Sequence, residues 1–329
     1  MKPFIFGSQP GRTVIADGKE YLFFSGYAYL GMQSVPAFAD LIKEGTDKYG
    51  WLFPSSRISN TRLQLFEQCE ALLSSITGFE ETVLFSSGFL AGRCATELWK
   101  DEVINLAPSH PAIQRNNITV NNKNEKVFAV DAVNMLTASI TDFSFADKDK
   151  TQKIIIVDDS HGIGLIGKNG EGICSKLHAA KNVQYVLSYS LSKAWNINAG
   201  AVSCSKNIAD ALRKLPAYAA GTAPSPAMLY AFTHGQHLYK MQREKLQNNI
   251  QYFQSLIQHI PQIIYHPQLP VFILPAATDE NKLREKNIII SSFAYPDPSG
   301  KKYNRIVVNA LHNFADLEYL AASLNEIFR

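Results

Sequence analysis

Between Thr82 and Cys204 six short runs rich in Val, Ile, Leu and Phe recur: "TVLFSS", "EVINLA", "KVFAVDAV", "KIIIVDD", "VQYVLSYS" and "AGAVSC", with helical or loop segments between them. Several are continuous apolar runs rather than alternating ones. That is the pattern of strands buried on both faces of a mostly parallel sheet, and it points to an α/β fold. The preceding "TRLQLFEQCEALLSSITG" has apolar residues at helical spacing and Gly78 as its stop. The following "SPAMLYAFTHGQHLYKMQREKLQNNIQYFQSLIQHI" reads as one long helix that leaves one domain and enters another.

After Ile260 the pattern changes. "IIYHPQLPVFILPA", "NIIISSFAYP" and "NRIVVNAL" read as a small antiparallel sheet, and "FADLEYLAASLNEIFR" as a closing amphipathic helix. The expected organisation is a large domain over residues 46–235 with a mostly parallel central sheet. A smaller α+β domain would combine residues 1–45 and 236–329. A chain of 329 residues, 46% hydrophobic and 19% charged, has enough core-forming material for both.

Composition excludes several function classes. No apolar run reaches roughly eighteen residues, so no membrane span is expected. The apolar stretch near the N-terminus is short and broken by Gly and Pro, unlike a signal peptide. Cys69, Cys94, Cys174 and Cys204 are far apart, which argues against a disulfide framework or a zinc site and fits reduced thiols in a cytoplasm. The net charge of +3 comes from scattered residues, so no nucleic-acid surface is expected, although a modestly basic groove for a phosphorylated ligand fits. The segment "RNNITVNNKNEK" reads as a polar hairpin or loop.

Chemistry concentrates at two neighbouring strand ends, where open α/β sheets bind ligands. "IIIVDDSHGIGLIGKNGEG" runs from a strand into Asp158, Asp159, Ser160 and His161, then into a glycine-rich loop. The next strand ends in "SYSLSK", with Ser190 and Lys193. Lysine is seldom buried without a partner or a chemical task; its bland alternative here is a stem that snorkels to water from a strand end. An acid, a histidine, hydroxyls and a lysine at adjacent strand ends suit pyridoxal phosphate. The carboxylate keeps the pyridine nitrogen protonated, the lysine forms the Schiff base, and hydroxyls with loop amides hold the phosphate. "LFSSGF" adds Ser87, Gly88 and Phe89 at a helix N-terminus, where free N–H groups can take a phosphate. Asp159, next to Asp158, points to the other face and is read as the residue without a ligand role.

In this light the chain resembles the α-oxoamine synthases, a family of fold type I pyridoxal-phosphate-dependent transferases, from about Ser25 to the C-terminus. "YLGM" is similar to the family's Asn-Tyr-Leu-Gly-Leu turn, and "SSRISNT" to its Ser-Arg-x-x-x-Gly-Thr segment, with Asn60 in place of the glycine. "DEVINLAPSHPAI" resembles the stretch whose histidine stacks on the cofactor ring, which implies that role for His110. "VDDSHGIGLIGKNGEG" implies that Asp158 binds the pyridine nitrogen and His161 the ring hydroxyl oxygen. "SYSLSKA" implies Lys193 as the Schiff-base lysine and Ser190 as a phosphate ligand. "AGTAPSP" implies that Thr222 reaches the phosphate in a partner subunit, and "RIVVNALH" that Arg305 clamps the amino acid's carboxylate. For His312 in the same motif, packing and function stay open.

The resemblance implies a cytoplasmic homodimer with shared sites, taking an amino acid and an acyl-CoA or acyl-carrier-protein thioester. The 8-amino-7-oxononanoate synthase type is the first expectation. The chain departs from the family's pattern on the substrate side. Ala28 stands where an asparagine is expected and Met135 where a substrate-facing serine is expected. Thr137 and Ala138 replace Asp-Gly, and the stretch between His110 and Val127 is cut down. Two other readings therefore stay open: an aminotransferase, lyase or racemase-like enzyme on the same cofactor, and a non-catalytic cofactor-binding homologue.

Overall fold

In the computed structural model, residues 4–115, 125–147, 150–295, 297 and 299–328 are described. Most of the polar segment "RNNITVNNKNEK" lies outside them. Backbone contacts divide the chain into two units: residues 36–134 with 140–238, and residues 1–35 with 135–139 and 239–329.

In the larger unit all six expected strands form one sheet, in the order 81–85, 200–204, 183–190, 152–158, 125–131, 103–105. The last four are mutually parallel. Gly200–Cys204 runs antiparallel to both its neighbours, so it is the one reversed strand of the sheet. Ile154, Ile155, Ile156 and Val157 are all buried, as a continuous apolar run requires when both faces are covered. Helix Gly88–Glu97 contributes Ala91, Cys94 and Ala95, and helix Lys206–Arg213 contributes Ile208, Ala209 and Leu212, to the core that also holds Val83, Ile156 and Val202. Helix Gln64–Thr77 buries Leu65, Cys69 and Leu73, one apolar stripe at helical spacing. It ends at Gly78, whose φ of 76° is a left-handed cap of the kind glycine adopts without strain.

The larger unit begins at Pro36 rather than at residue 46. Helix Pro36–Tyr49 belongs to it because Gly45 approaches the helix that starts at Pro226. A Cβ on Gly45 would sit 2.7 Å from the Ala227 carbonyl oxygen. The long helix expected after Ser225 is two helices, Pro226–His234 and Gln236–Ile257, interrupted at Gly235. Glycine's poor helix propensity makes it the weakest point of that run.

In the smaller unit the strands after Ile260 pair antiparallel, as expected, and the N-terminal hairpin extends their sheet. Its six strands lie in the order 13–16, 19–24, 288–294, 302–307, 271–274, 264–265, and Lys19–Phe24 is parallel to Ile288–Ala294. The N-terminal hairpin was readable in the sequence: Asp17 and Gly18 take φ of 51° and 74°, the Asp-Gly turn that closes two-residue hairpins.

In this unit His312 is a packing residue. Its Nδ1 accepts the Asn309 N–H at 3.0 Å, its Nε2 lies 3.1 Å from the Phe23 carbonyl oxygen, and the ring stacks on Phe24 at 4.0 Å. Only a neutral ring satisfies both bonds, and burial pushes its pKa down to about 3. The unfolded chain takes up a proton near pH 6.5, whereas the folded ring refuses it until about pH 3. Stability contributed by this group is therefore complete above pH 6.5 and falls as pH drops below it, by at most ~1.4 kcal/mol per pH unit. Denaturation between pH 7.5 and 4.5 should show a slope that is shallower in His312→Gln than in the wild type.

Candidate active site

Three adjacent parallel strands of the larger unit end in polar residues that stand in register. Asp131 pairs with Asp158, and Asp158 with Ser188. Residues in register on neighbouring strands project to the same face, so these three side chains form a row along the carboxyl edge of the sheet. Asp158 is buried; its Oδ1 accepts the Ser160 N–H at 2.9 Å, and its Oδ2 is 4.0 Å from His110 Nδ1. The Ser188 hydroxyl is fully buried and has no hydrogen-bond partner.

His110 reaches the row from the turn after strand Val103–Asn105. Its N–H donates to Asp131 Oδ1 at 2.8 Å, and its Nδ1 accepts the Ala112 N–H at 3.1 Å. The ring proton is thereby assigned to Nε2. Burial lowers the His110 pKa, Asp158 opposes that shift and Lys193 adds to it. A neutral, partly exposed imidazole fits a residue that covers a flat ring better than one that pairs with an anion.

Lys193 lies half-buried in the loop after strand Val183–Ser190. Its charge is felt at His110, Asp131 and Asp159, which locates the ammonium at this row of strand ends. His161 is half-buried in the turn that follows Asp158.

A second set of contacts forms an anion cradle. Ser87 caps helix Gly88–Glu97, its Oγ accepting the Leu90 N–H at 3.2 Å. A Cβ on Gly88 would lie 2.4 Å from Ser190 Cβ, and one on Gly200 would lie 2.2 Å from the Ser87 carbonyl oxygen. Only glycines let this helix N-terminus, with its free N–H groups, close onto the Ser190 hydroxyl. Ser190 Oγ is bonded to Ser192 Oγ at 2.7 Å, and the Ser190 N–H donates to Ser160 Oγ at 3.0 Å. Phe89, 56% exposed, stands at the rim.

Asp159 has no ligand-facing place, as its alternation with Asp158 predicts, but it holds the glycine-rich loop. Its Oδ2 accepts the Ile173 N–H at 2.8 Å, and burial raises its pKa well above the usual carboxylate range. Sequence reasoning missed Asp131 and Ser188. The available signals were an acid at the end of "KVFAVD" and a serine two residues before Ser190, hence on the same strand face.

The remaining expected residues come from other segments. Thr222 is exposed and lines a small hollow with Ser86 and Leu90. Arg305 is in the smaller unit, directly across from Ser291, with its guanidinium 5.1 Å from the Phe293 ring centre. Its Nε is buried without a hydrogen-bond partner, so the side chain has donor capacity to spare for an acceptor. Ser25 and Ser291 share a 2.8 Å hydroxyl bond on that sheet. Met135 is buried in the short 135–139 segment of the same unit. Among the described residues, no cluster of His, Cys, Asp or Glu could hold a metal, and no helix is long and apolar enough to cross a membrane.

The fold and this site define a class of enzyme: the chain belongs to the aminotransferase class I and II family, whose model matches residues 143–324. It is accordingly a pyridoxal-phosphate-dependent transferase with the fold type I architecture. Its sequence relatives place it with the α-oxoamine synthases. The 8-amino-7-oxononanoate synthase of Buchnera aphidicola is 26% identical over 96% of this chain and 91% of its own length. That of Coprothermobacter proteolyticus is 28% identical over 95% and 89%. In fold the chain is similar to the serine palmitoyltransferase of S. paucimobilis, solved with a bound PLP–myriocin aldimine (TM-score 0.84, 18% identity, 99% of this chain and 92% of that one). It is likewise similar to the 8-amino-7-oxononanoate synthase of Francisella tularensis (TM-score 0.73, 24% identity, 93% and 98%).

The residues present fit the cofactor. The unpartnered Ser188 hydroxyl beside Asp158 suits the ring end, and the helix N-terminus that Gly88 lets close onto Ser190 suits the phosphate.

Proposed function

We propose that the chain is a C-acyltransferase of the 8-amino-7-oxononanoate synthase type, joining a small amino acid to an acyl thioester with loss of CO2, as a cytoplasmic homodimer. The observation that carries this reading is the convergence of Asp158, His110 and the Lys193 charge on one row of strand ends, beside the glycine-gated cradle. Relatives of the synthase type that span nearly the whole chain support the choice of reaction.

Bound there, pyridoxal phosphate supplies an electron sink for charge that develops at the amino acid's α-carbon. Asp158, whose Oδ1 accepts the Ser160 N–H, would hold the ring through its nitrogen. The His110 ring, kept neutral, covers one face. Ser190 and the Ser87–Phe89 amides bind the phosphate, with Thr222 of a second copy closing the cradle. His161 donates to the ring's hydroxyl oxygen. Lys193 Nζ would anchor the group and would serve as the base for the amino acid's α-proton. Arg305, with its unpaired Nε, takes the carboxylate. In favour of a dimer, Trp51, Leu52, Ile58 and Phe89 of the larger unit are 73%, 65%, 57% and 56% exposed.

The product name of the relatives suggests the substrates. Cutting 8-amino-7-oxononanoate between C7 and C8 leaves a seven-carbon diacid acyl group and a two-carbon amine, which is alanine without its carboxylate. The test is alanine-dependent release of thiol from pimeloyl-CoA by the purified protein, with an equal amount of CO2 from the alanine carboxylate. Keto-acid-dependent loss of the amino group without thiol release would instead assign an aminotransferase, a reading that Ala28 and the buried Met135 on the substrate side favour. Absence of any turnover with the cofactor bound would assign a non-catalytic homologue.

A further inference from the structure

The proposed reaction leaves one acid of the row without a task. Asp131 ties the turn before His110 to the sheet at two points: its own N–H donates to the Pro108 carbonyl at 2.9 Å, and its Oδ1 accepts the His110 N–H at 2.8 Å. Its own carbonyl oxygen accepts the Thr141 hydroxyl at 2.6 Å, which holds the strand end in place. Because Asp131 and Asp158 are in register on adjacent strands, their backbones stand about 5 Å apart, the spacing of strands in a sheet, and their side chains leave it on the same face.

We propose that Asp131 is a positioning residue, its carboxyl pinning the His110 turn over the Asp158 strand end. The role rests on the reading that Asp158, His110 and Lys193 hold pyridoxal phosphate. Two facing carboxylates at this spacing resist joint ionisation, so the pair favours a single charge. Burial and then Asp158 push the Asp131 pKa up to about 7, while the His110 N–H and Lys193 oppose that shift. The titratable groups that face Asp131 are thus Asp158 on the next strand, His110 in the turn and Lys193 in the loop after the third strand. Below about pH 7 Asp131 is mostly the protonated acid. Its Oδ1 accepts the His110 N–H from the turn.

Asparagine reproduces that neutral acceptor, and alanine does not. Pyridoxal phosphate binding to the full chain is measured at pH 6.5 for the wild type, Asp131→Asn and Asp131→Ala, with melting temperatures as the control for folding. Asp131→Asn should bind within about threefold of the wild type. Asp131→Ala should bind about tenfold more weakly, the worth of one lost hydrogen bond. The second readout is the His110 amide proton resonance of the cofactor-free protein between pH 5.5 and 8.5. It should shift with a midpoint near 7 in the wild type and stay flat in Asp131→Asn.

Wild-type affinity in Asp131→Ala would overturn the inference, and so would a resonance that still titrates in Asp131→Asn. If Asp131→Ala does not fold, Asp131→Asn and the amide titration decide alone. The cofactor reading fails separately, if borohydride fixes no cofactor to Lys193 in the wild type. A fixed cofactor together with a persistent titration removes Asp131 only.

Discussion

Lys193→Ala should abolish the cofactor adduct that borohydride fixes in the wild type, and should lower alanine-dependent thiol release by at least about three orders of magnitude. The size follows from losing two functions at once: the covalent anchor, and a base worth about 10²–10⁴ in rate. Folding should be unaffected. Lys193 sits in a half-buried loop outside the helices and strands of the unit. The check is mass spectrometry of the reduced protein, in which a single peptide containing Lys193 should carry the added mass. An unchanged melting curve in the variant locates the loss in the chemistry. Activity retained in the variant would make Lys193 an ordinary loop lysine and remove every role built around it.

Glu70→Ala should destabilise the larger unit by about 3–5 kcal/mol, the usual cost of stranding a buried charge. Glu70 Oε1 accepts from Arg57 at 2.7 Å and from the Leu84 N–H at 2.9 Å. The Arg57 guanidinium lies between the rings of Phe66 and Tyr218, at 4.8 and 4.6 Å, and donates to the Leu84 carbonyl at 2.9 Å. Both side chains are under 10% exposed (7% and 9%), so the estimate of about 0–1 kcal/mol for surface pairs does not apply. Truncating the acid leaves Arg57 desolvated without its carboxylate partner, and the Leu84 N–H of strand Glu81–Phe85 without its acceptor. Urea denaturation measures the loss. The double variant Arg57→Leu with Glu70→Leu should recover part of it, because two apolar residues leave no charge unpaired. A loss below about 1 kcal/mol would show that water reaches the pair.

Much of this site was legible in the chain because its residues sit at fixed offsets from strand ends. Asp158 and His161 lie at the end of a continuous apolar run, and Ser190 and Lys193 at and after the end of the next strand, where a strand must deliver whatever follows it to the sheet's carboxyl edge. Ser87 and Gly88 were readable for the same reason, at a strand-to-helix junction. Asp131 was not, because its task is to accept an N–H from His110, 21 residues earlier, and no local pattern encodes that pairing. The mixed sheet of the smaller unit was missed in the same way. The Asp17–Gly18 turn is local, but the parallel pairing of Lys19–Phe24 with Ile288–Ala294 joins the two ends of the chain. His312 had no sequence signal to separate packing from function, and only its two satisfied ring nitrogens and its stack on Phe24 decide it.

By itself, the order of residues determined the six strands of the larger unit, the helix stop at Gly78, the acid and lysine at adjacent strand ends and the family. All of these are written in consecutive residues through hydrophobic period, turn chemistry and motif spacing. Only the tertiary structure decided the register that lines up Asp131, Asp158 and Ser188, the closure of Gly88 onto Ser190, and the burial of Arg57 with Glu70. Those depend on which distant segments meet and with what offset. A shift of one residue in strand pairing turns every side chain to the opposite face, so the site exists only once long-range packing has chosen the register.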